Sequence, residues 1–386
     1  MKKARYISGF EKKWLEFRLS VLLLGRVMWI LGFKGLRMLR KYMKDDRALL
    51  NTVPNRFIKV GKEVIAVSDM PPMNSRAFRD AVIRDMQWIL YDEQPGLLFA
   101  IFCVSSRCPY TCSYCYNSAL HSKEERMELP LLIESIEKLR KAGVQSIYLS
   151  GGEPMMRFTE VLKILHHFKN SGIRFWLLST GWKLNSETLQ KLKNAGLKGV
   201  MISLDTFDSE QINAVKGSPK AFDQAISAMR DASESGLIVT VDAVLSKKLL
   251  DKEPFEKYIR MAGEAGAVFI NAYAPKNTGS VNPEAYSSYD LADFQKLQHR
   301  INENHQKPEN LPIVYSPDLW ESNRGCVGGK LFIYIDPDGN VKICPFVAKS
   351  YGNIKTEEFS NILDKINNLK DKHRCEVNEM LSKEFH

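Results

Sequence analysis

The sequence predicts an α/β protein built around a parallel β-sheet, and two observations lead to this fold class. From residue 98 onward, apolar runs of six or seven residues alternate with amphipathic stretches of helical period. Each amphipathic stretch ends in a glycine, for example Gly143 in KLRKAGV and Gly196 in KLKNAGL. Glycine just past the last turn ends a helix because it accepts the left-handed conformation. Strands that alternate with helices in this way pair in parallel through helical crossovers.

Six apolar runs are the predicted strands of this sheet. They are LFAIFCV (98–104), QSIYLS (145–150), RFWLLS (174–179), GVMISL (199–204), IVTVDAV (238–244) and VFINAY (268–273). Six strands are too few for a complete eight-stranded barrel. The pattern by itself therefore fits either a partial barrel or an open sheet.

The regions that flank the strands have weaker patterns. Residues 51–97 predict a small hairpin (FIKVGKEVIAV) and a helix from Ser75 to Leu90, which lead into the sheet. Residues 276–324 form a polar connecting segment in which we expect one helix, from Asp290 to Asn304. The chain therefore has a single large α/β region between two smaller ones.

Residues 325–386 predict a small α+β C-terminal domain. In KLFIYIDPDGNVKICPF two alternating strands flank a tight turn at Asp338 and Gly339, which is a strong hairpin pattern. A Lys-rich helical stretch follows at about 356–372.

The composition is that of a globular protein, with 44% hydrophobic and 26% charged residues among 386. It excludes a disordered chain, a collagen-like fibre and a small disulfide-rich fold. The net charge is +10, but residues 1–50 contain 13 Lys and Arg against 4 Asp and Glu, so the rest of the chain is nearly neutral. Because that near-neutral body offers no basic groove with interleaved aromatics, no nucleic-acid partner is expected.

The first 50 residues are a basic amphipathic segment. On an ideal helix the basic side chains of residues 14–44 fall within an arc of roughly 160°, with most large apolar side chains opposite. These basic residues are Arg18, Arg26, Lys34, Arg37, Arg40, Lys41 and Lys44. This pattern predicts a helix that lies in the plane of an anionic membrane surface. A helix that packs on its own barrel or on a partner fits the same pattern, and Gly25, Gly32 and Gly35 could interrupt it.

The charges also bear on two other interpretations of this segment. Arg18, Arg26 and Lys34 leave no uncharged run near the roughly 20 residues that a transmembrane helix needs. No small-residue cleavage site follows, as a signal peptide would require. We therefore expect a peripheral association with the membrane, from the cytoplasmic side.

The cysteines carry the strongest chemical signal. Seven cysteines are too few, and odd in number, for a secreted disulfide framework, which favours a reducing cytoplasm. Cys108, Cys112 and Cys115 have the spacing C-x3-C-x2-C directly after the first strand. Thiolates suit iron–sulfur clusters or zinc, but a zinc site needs a fourth ligand and the nearest histidine is His121. Cys103 lies within an apolar strand and is expected in the core.

This cysteine motif resembles that of the radical S-adenosylmethionine (radical SAM) superfamily, over about residues 98–275. The resemblance implies a partial (β/α)6 TIM-like barrel and a [4Fe–4S] cluster on Cys108, Cys112 and Cys115, which are thereby the catalytic cysteines. It implies that Tyr114 lies beside the adenine of S-adenosyl-L-methionine (SAM). It also implies that the methionine amino group is received by a four-residue motif after the second strand: Gly151, Gly152, Glu153 and Pro154.

Further matches lie at the ends of the next two strands. Ser179 and Thr180 end the third predicted strand, and Ser203 and Asp205 end the fourth, where the family contacts ribose or carboxylate. The carboxyl ends of barrel strands converge on one mouth, which is where barrel enzymes place their chemistry. The sequence departs from the family at Lys216, where an arginine is usual, and in the fifth strand, which lacks a glycine–acid motif.

The resemblance also implies a reaction. SAM chelates the open iron, and one electron cleaves its sulfonium bond to give a 5′-deoxyadenosyl radical. The radical abstracts hydrogen from an unactivated C–H bond of a substrate, and the protein supplies binding and orientation. An electron donor of the flavodoxin or ferredoxin type is implied.

The C-terminal cysteines resemble the start of the SPASM/twitch domains of this superfamily. These domains bind an auxiliary [4Fe–4S] cluster, which implies that Cys326, Cys344 and Cys375 are metal ligands here. The hairpin at Asp338 returns Cys344 toward Cys326, but a fourth ligand is not evident in the sequence. The alternative is a set of buried thiols, or a zinc knuckle, left from a lost cluster.

Three functions are therefore weighed. The first is a membrane-docked radical SAM enzyme that acts on a lipid or another hydrophobic substrate, because the basic charge lies on a Trp- and Leu-rich helix. The second is a peptide- or protein-modifying enzyme, in which the region before the barrel would bind a leader sequence. The third is a non-catalytic iron–sulfur sensor.

Overall fold

The structure, a computed structural model, describes residues 4–45, 56–91, 93–276, 278–279, 288–307 and 311–369. The helices in these ranges are α1 (Gly9–Asp45), α2 (Arg76–Tyr91), α3 (Leu129–Lys141), α4 (Phe158–His167), α5 (Ser186–Ala195), α6 (Ser209–Lys216), α7 (Ala221–Glu234), α8 (Lys252–Glu264), α9 (Leu291–Gln306), α10 (Pro317–Arg324) and α11 (Phe359–Asn367). The strands are β1 (Arg5–Ile7), β2 (Phe57–Val60), β3 (Glu63–Ile65), β4 (Phe99–Ser105), β5 (Ser146–Gly151), β6 (Arg174–Ser179), β7 (Leu197–Ser203), β8 (Ile238–Val244), β9 (Phe269–Tyr273), β10 (Ile313–Tyr315), β11 (Phe332–Ile335), β12 (Asn340–Lys342) and β13 (Gly352–Asn353).

The centre of the molecule is a sheet in which β4 to β9 lie side by side in chain order, all parallel. These are the six predicted strands, which the structure confirms. The crossovers between them contain α3 to α8, whose apolar faces pack on the sheet, as α3 does through Leu132, Ile136 and Leu139. Gly143 and Gly196 have φ of 90° and 120°, as expected for helix-ending glycines. The architecture is the expected partial TIM-like barrel.

The sheet is wider than predicted at both edges. Strand β10, within the expected connecting segment, pairs in parallel with β9. At the other edge β11 pairs in parallel with β4, with Phe332 opposite Phe99, and β12 and β13 continue the sheet antiparallel. The predicted hairpin is thus confirmed, and Asp336 Oδ1 holds its turn by accepting from the amides of Asp338 (2.9 Å) and Asn340 (3.0 Å). The C-terminal hairpin is joined to the barrel sheet by backbone pairing, while the position of a domain boundary stays a prediction.

The amino-terminal mouth of the barrel is closed by a second, three-stranded antiparallel sheet made of β1, β2 and β3. Ile58 and Ile65 of the predicted hairpin are fully buried in one apolar cluster with Tyr148, Trp176 and Phe269 from the barrel strands. This plug leaves the opposite, carboxyl-end mouth of the barrel for ligands.

Helix α1 is bent and packs along α2. The bend is at Gly32, whose φ of 58° and ψ of −151° lie outside the helical region. Val27 and Met38 are buried beneath the helix. Two polar contacts tie α1 to α2: Arg26 Nε donates to Asp80 at 2.7 Å, and the Tyr42 hydroxyl donates to Asp85 at 2.6 Å.

The face of α1 that points away from the body is apolar. Its largest side chains are highly exposed, with Phe10 at 82%, Trp29 at 83% and Phe33 at 81%. The exposed apolar residues of this face, which we call the apolar stripe, are Phe10, Trp14, Phe17, Val21, Leu22, Leu24, Trp29, Ile30 and Phe33. Monomeric proteins rarely expose so long an apolar surface unless it binds a membrane or a partner.

One expectation about this helix needs correction. Arg26 does not lie on an exposed cationic face, because it is turned toward α2 and paired with Asp80. By length and composition alone, the helix from Gly9 to Tyr42 is also apolar enough to cross a membrane, despite its charges. Its packing on α2 places it against the body of the protein.

Candidate active site

The cysteine motif forms a loop between the end of β4 and a short 3₁₀ turn at Ser118–Leu120. Cys108, Cys112 and Cys115 all line one cavity at the carboxyl-end mouth of the barrel. The loop is fixed to the end of α6, because the amides of Thr111 and Ser113 donate to the carbonyls of Lys216 and Val215 at 3.3 and 3.0 Å. The structure thus brings the three predicted cysteines together on an anchored loop.

The state of these thiols fits a metal cluster. Burial raises the pKa of Cys108 to about 12 and that of Cys112 to about 11, and it also raises the pKa of Cys115. Such thiols stay protonated at neutral pH until a metal displaces the proton. In the described ranges no three His, Cys, Asp or Glu side chains converge on a single ion, but each cysteine of an iron–sulfur cluster binds a different iron. Three soft thiols on one cavity wall therefore fit a [4Fe–4S] cluster.

The glycine motif after β5 packs its backbone against this loop. A side chain at Gly151 would place its Cβ 2.2 Å from the Ser105 carbonyl oxygen, and one at Gly152 would place it 2.2 Å from that of Arg107. The amide of Gly152 donates to the Ser105 carbonyl at 2.8 Å. Only glycine allows this approach, which explains the residue type at both positions.

Glu153 joins the ends of two strands. It is fully buried, and its Oε1 accepts from the Met155 amide (3.1 Å) and from Ser179 Oγ (2.9 Å). Its Oε2 accepts from the amide and the hydroxyl of Thr180 at 2.8 and 2.7 Å. Pro154 begins the 3₁₀ turn that follows. Burial raises the pKa of Glu153, and these hydrogen bonds oppose that rise. Glu153, Ser179 and Thr180 are therefore one network that holds the mouth in shape.

On the other side of the mouth, Asp205 offers an unused acceptor. Its Oδ1 accepts from the Val244 amide at 2.9 Å, whereas its buried Oδ2 has no hydrogen-bond partner. A buried acceptor without a donor costs roughly 1–3 kcal/mol. The position therefore fits a ligand that donates a hydrogen bond, as a ribose hydroxyl does. Tyr114 and Ser203 line the same wall.

Lys216 is fully buried beside these groups. Its Nζ donates to the Ser203 carbonyl at 2.6 Å, so the side chain spans from α6 to the end of β7. Burial lowers the pKa of Lys216, and Asp205 and Cys112 oppose that effect. The residue that departs from the family pattern thus supplies the positive charge of this wall.

Two of the three predicted C-terminal ligands, Cys326 and Cys344, line the same cavity as the cysteine loop. Cys375 lies outside the residues that the structure describes. Cys103 is fully buried, 3.1 Å from the Tyr334 hydroxyl, as expected for a core cysteine.

Sequence reasoning missed a group of polar residues deeper in the cavity. The Tyr148 hydroxyl donates to Asp69 at 3.2 Å, and Asn271 Nδ2 donates to Asp242 at 2.8 Å. Ser68 Oγ joins the pairs, lying 3.2 Å from both Asp69 Oδ1 and Asn271 Oδ1. Burial raises the pKa of Asp69 to about 6 and that of Asp242 to about 7. A polar residue inside an apolar strand could have indicated two of them, Asp242 in IVTVDAV and Asn271 in VFINAY.

The cavity has a volume of 660 Å³, within the range of small-molecule sites. It extends from the cysteine loop, past Met70 and Phe99, to the inner faces of α1 and α2. The lining is polar at the barrel mouth and mainly apolar toward these helices.

Comparisons with known proteins identify the family of the barrel region. Residues 102–262 match the family described as the Radical SAM superfamily. A protein named "AdoMet-dependent heme synthase" from Methanosarcina barkeri (strain Fusaro / DSM 804) is 26% identical over 248 residues, which cover 59% of this chain and 70% of that protein. A protein of the same name from Oleidesulfovibrio alaskensis is 23% identical over 306 residues, which cover 72% of this chain and 77% of the relative.

Solved structures share the fold. The crystal structure of Streptococcus suis SuiB bound to precursor peptide SuiA has a TM-score of 0.59 at 15% identity, over 86% of this chain and 78% of that one. Native anSMEcpe with bound AdoMet and Cp18Cys peptide has a TM-score of 0.51 at 17% identity, over 70% of this chain and 81% of that one. The family match and the cysteine loop after β4 lead to one conclusion: residues 102–262 are a domain of the radical SAM superfamily, and the protein is an enzyme that uses SAM and a [4Fe–4S] cluster.

Proposed function

We propose that this protein is a radical SAM enzyme that docks on a membrane surface and acts on a lipid or another hydrophobic substrate. One observation carries the proposal: a single cavity joins the cysteine loop to the inner face of α1, whose outer face is the apolar stripe. Helix α1 therefore lines the active-site cavity with its inner face and carries, on its outer face, the surface best suited to a bilayer.

Different residues of the barrel mouth would bind the cluster and SAM. Cys108, Cys112 and Cys115 would hold the cluster, and SAM would lie across Tyr114 and the wall that carries Asp205. When bound, the cluster and SAM supply a one-electron cleavage whose radical product removes hydrogen from an unactivated C–H bond. The protein's part is to orient the substrate, and the apolar lining toward α1 and α2 limits the access of water to the barrel mouth from that side. The electron donor we expect is of the flavodoxin or ferredoxin type.

The surface of α1 supports docking in the membrane plane. Aromatic side chains of the apolar stripe can bury in the interface between headgroups and acyl chains. Exposed basic residues lie among the first residues of the stripe and beyond its last one: Lys13, Arg18, Lys34, Arg37, Arg40 and Lys41. Each Lys or Arg near an anionic surface contributes on the order of 1 kcal/mol. A peripheral helix is favoured over a spanning one, because Arg26 and Tyr42 hold α1 against α2.

We also propose an auxiliary [4Fe–4S] cluster on the C-terminal side of the cavity. Its support is that Cys326 and Cys344 both line the cavity, and Cys375 is the third ligand that the sequence offers. Such a cluster could either contact substrate or relay electrons.

A second candidate function is modification of a peptide. It is favoured by the fold shared with SuiB, which was solved with its precursor peptide, over 86% of this chain. In that case the region before the barrel would bind a leader sequence, and the apolar stripe would contact peptide rather than lipid. The two curated relatives are named heme synthases, and their name points to a third, cyclic and largely apolar, class of substrate.

Vesicle co-sedimentation of the full chain tests the first proposal. We expect binding to phosphatidylcholine vesicles that contain phosphatidylglycerol, and at least tenfold weaker binding by a Trp29→Glu, Phe33→Glu double variant. Leu291→Glu, at an exposed leucine of α9, is the matched control and should bind as the wild type does. Equal sedimentation of wild type and double variant would overturn membrane docking.

Formation of 5′-deoxyadenosine distinguishes the lipid, peptide and sensor hypotheses. With reduced enzyme and SAM, deoxyadenosine that increases on addition of lipid extract supports the lipid class. An increase only with a leader-bearing peptide supports the peptide class. No deoxyadenosine under either condition, from protein with full iron content, would favour the sensor.

A further inference from the structure

The end of the cavity that is farthest from the cysteines lies between two helices. Its lining residues come from α1 and α2 and are mainly apolar: Leu23, Leu39, Tyr42, Phe78, Ala81, Val82 and Asp85. The cysteine-loop end is built from strand ends and loops. The two ends are therefore formed by different parts of the chain.

Two polar contacts flank this apolar opening. Arg26 pairs with Asp80 on one side at 2.7 Å, and Tyr42 donates to Asp85 on the other at 2.6 Å. The bend at Gly32 lies between them along α1. Helix α1 is thus fixed to α2 at two points, with an apolar, bent segment between.

The lining between the two ends is continuous and apolar. Met70 and Met73 from the segment before α2, and Phe99 and Ile101 of β4, line the passage toward the barrel mouth. Methionine side chains adapt to ligands of irregular shape. An apolar chain could therefore lie along the passage without leaving a polar group unpaired.

We propose that the apolar chain of the substrate enters between α1 and α2, between the Arg26 and Tyr42 contacts, and lies along this passage with its reacting carbon toward the cysteine loop. This inference rests on the proposed function, since it assumes a hydrophobic substrate. Helix α1 presents apolar side chains to both sides, so a chain that leaves the bilayer beside the apolar stripe stays out of water. Leu39 of α1 and Val82 of α2, which both line this end of the cavity, are the residues that set which chains pass.

Binding of cis-parinaric acid, an 18-carbon fatty acid whose fluorescence rises in apolar surroundings, tests the passage in the full, cluster-loaded chain. We expect saturable binding by the wild type and at least tenfold weaker binding by Val82→Trp, because the indole fills the opening. Ile89→Trp is the matched control, since Ile89 is on the same helix but is exposed and outside the cavity. It should bind the probe as the wild type does.

Two further variants keep the test informative if Val82→Trp fails to fold. Leu39→Trp narrows the opening from α1 and should also weaken binding tenfold, whereas Phe78→Ala widens it and should not. Iron content after reconstitution checks the fold of each. Wild-type affinity in both tryptophan variants would overturn the passage.

Vesicle binding distinguishes a failure of the apolar passage from a failure of membrane docking. If Val82→Trp still binds vesicles and the probe affinity is unchanged, the passage is wrong and membrane docking stands. If the wild type binds neither vesicles nor the probe, the proposed function fails first.

Discussion

The two ends of the cavity differ in the kind of contact that forms them. At the barrel mouth directional hydrogen bonds fix the strand ends, as the four that Glu153 accepts show. At the α1–α2 end the lining is mainly apolar, and the hydrogen-bonded pairs Arg26–Asp80 and Tyr42–Asp85 join the described parts of the two helices. A site for one invariant cofactor gains from rigid, directional contacts, whereas non-directional apolar packing accepts varied ligands. The comparison teaches that cofactor and substrate recognition can be changed independently, and five substitutions test that.

The largest effect is expected from Cys108→Ala. Removing one cluster ligand should abolish deoxyadenosine formation, by more than a thousandfold, while vesicle and probe binding at the helix end persist. Iron analysis after anaerobic reconstitution should give about eight irons in the wild type and about four in the variant. Loss of probe binding as well would show that the two ends are not independent.

Cys344→Ala provides the matched comparison for the second cluster. It should also lower the iron content to about four, if Cys344 is an auxiliary ligand, but it should retain deoxyadenosine formation. An unchanged iron content would make the C-terminal cysteines structural.

Glu153→Gln should be the next most damaging. In place of one carboxylate oxygen, glutamine has an NH₂ group, which cannot accept hydrogen bonds. The buried donors that face it would lose their acceptor, and each loss destabilises the fold by about 1–3 kcal/mol. We expect a loss of about 3 kcal/mol in unfolding free energy and weaker SAM binding, by chemical denaturation and equilibrium dialysis. Glu187→Gln, in an exposed pair with Lys191, should leave the unfolding free energy almost unchanged, because solvent screens that pair. Equal effects of the two variants would contradict the role of the network.

Asp242→Asn should show a pH-dependent gain in stability. Burial, reinforced by Asp69, raises the pKa of Asp242 from 3.8 to about 7 in the folded state. The folded protein therefore binds more protons than the unfolded one between those values, so wild-type stability falls as pH rises through them. The variant should be more stable by about 2 kcal/mol at pH 8, with the gain vanishing near pH 4. Thermal unfolding across pH measures this, with the exposed Asp223→Asn as control; a pH-independent difference would contradict it.

The smallest effect is expected at the helix end. Gly32→Ala should cost about 1 kcal/mol, because its φ of 58° and ψ of −151° disfavour any side chain although space is open around it. Gly25→Ala, in regular helix of the same element, should instead stabilise by up to about 1 kcal/mol. Urea unfolding of the pair checks this. A shift in SAM affinity on Gly32→Ala would show that the bend is coupled to the barrel mouth.

What the sequence could predict followed from local patterns. Strands β4 to β9 and their crossovers came from periodicity and helix-ending glycines, and the cysteine loop came from spacing. Glu153, Ser179 and Thr180 were each singled out separately, and strand order at the barrel mouth explains why they meet. The three-residue strand β10 was missed because it lies in a polar, Pro-bearing segment that has no alternation to detect.

What could not be predicted depends on contacts between distant residues. Asp69 lies in a segment without periodicity, and only the fold places it beside Tyr148 and near Asp242. The orientation of Arg26 depends on Asp80, 54 residues later, and on the bend at Gly32. A helical wheel assumes one straight helix, so it could not place Arg26 against α2.

The pairing of β11 with β4 has a consequence for how the protein is made. Phe332, which pairs with Phe99, is synthesised more than 230 residues later. Until then β4 has a neighbouring strand on one side only. At synthesis rates of about 5–20 residues per second, that interval lasts roughly 10–50 s. During it the strand that leads into the cysteine loop has an open edge, and such edges recruit other strands. The last barrel partner of β4 also brings Cys344, so the sheet edge is covered and the second group of cysteines arrives in one event late in synthesis.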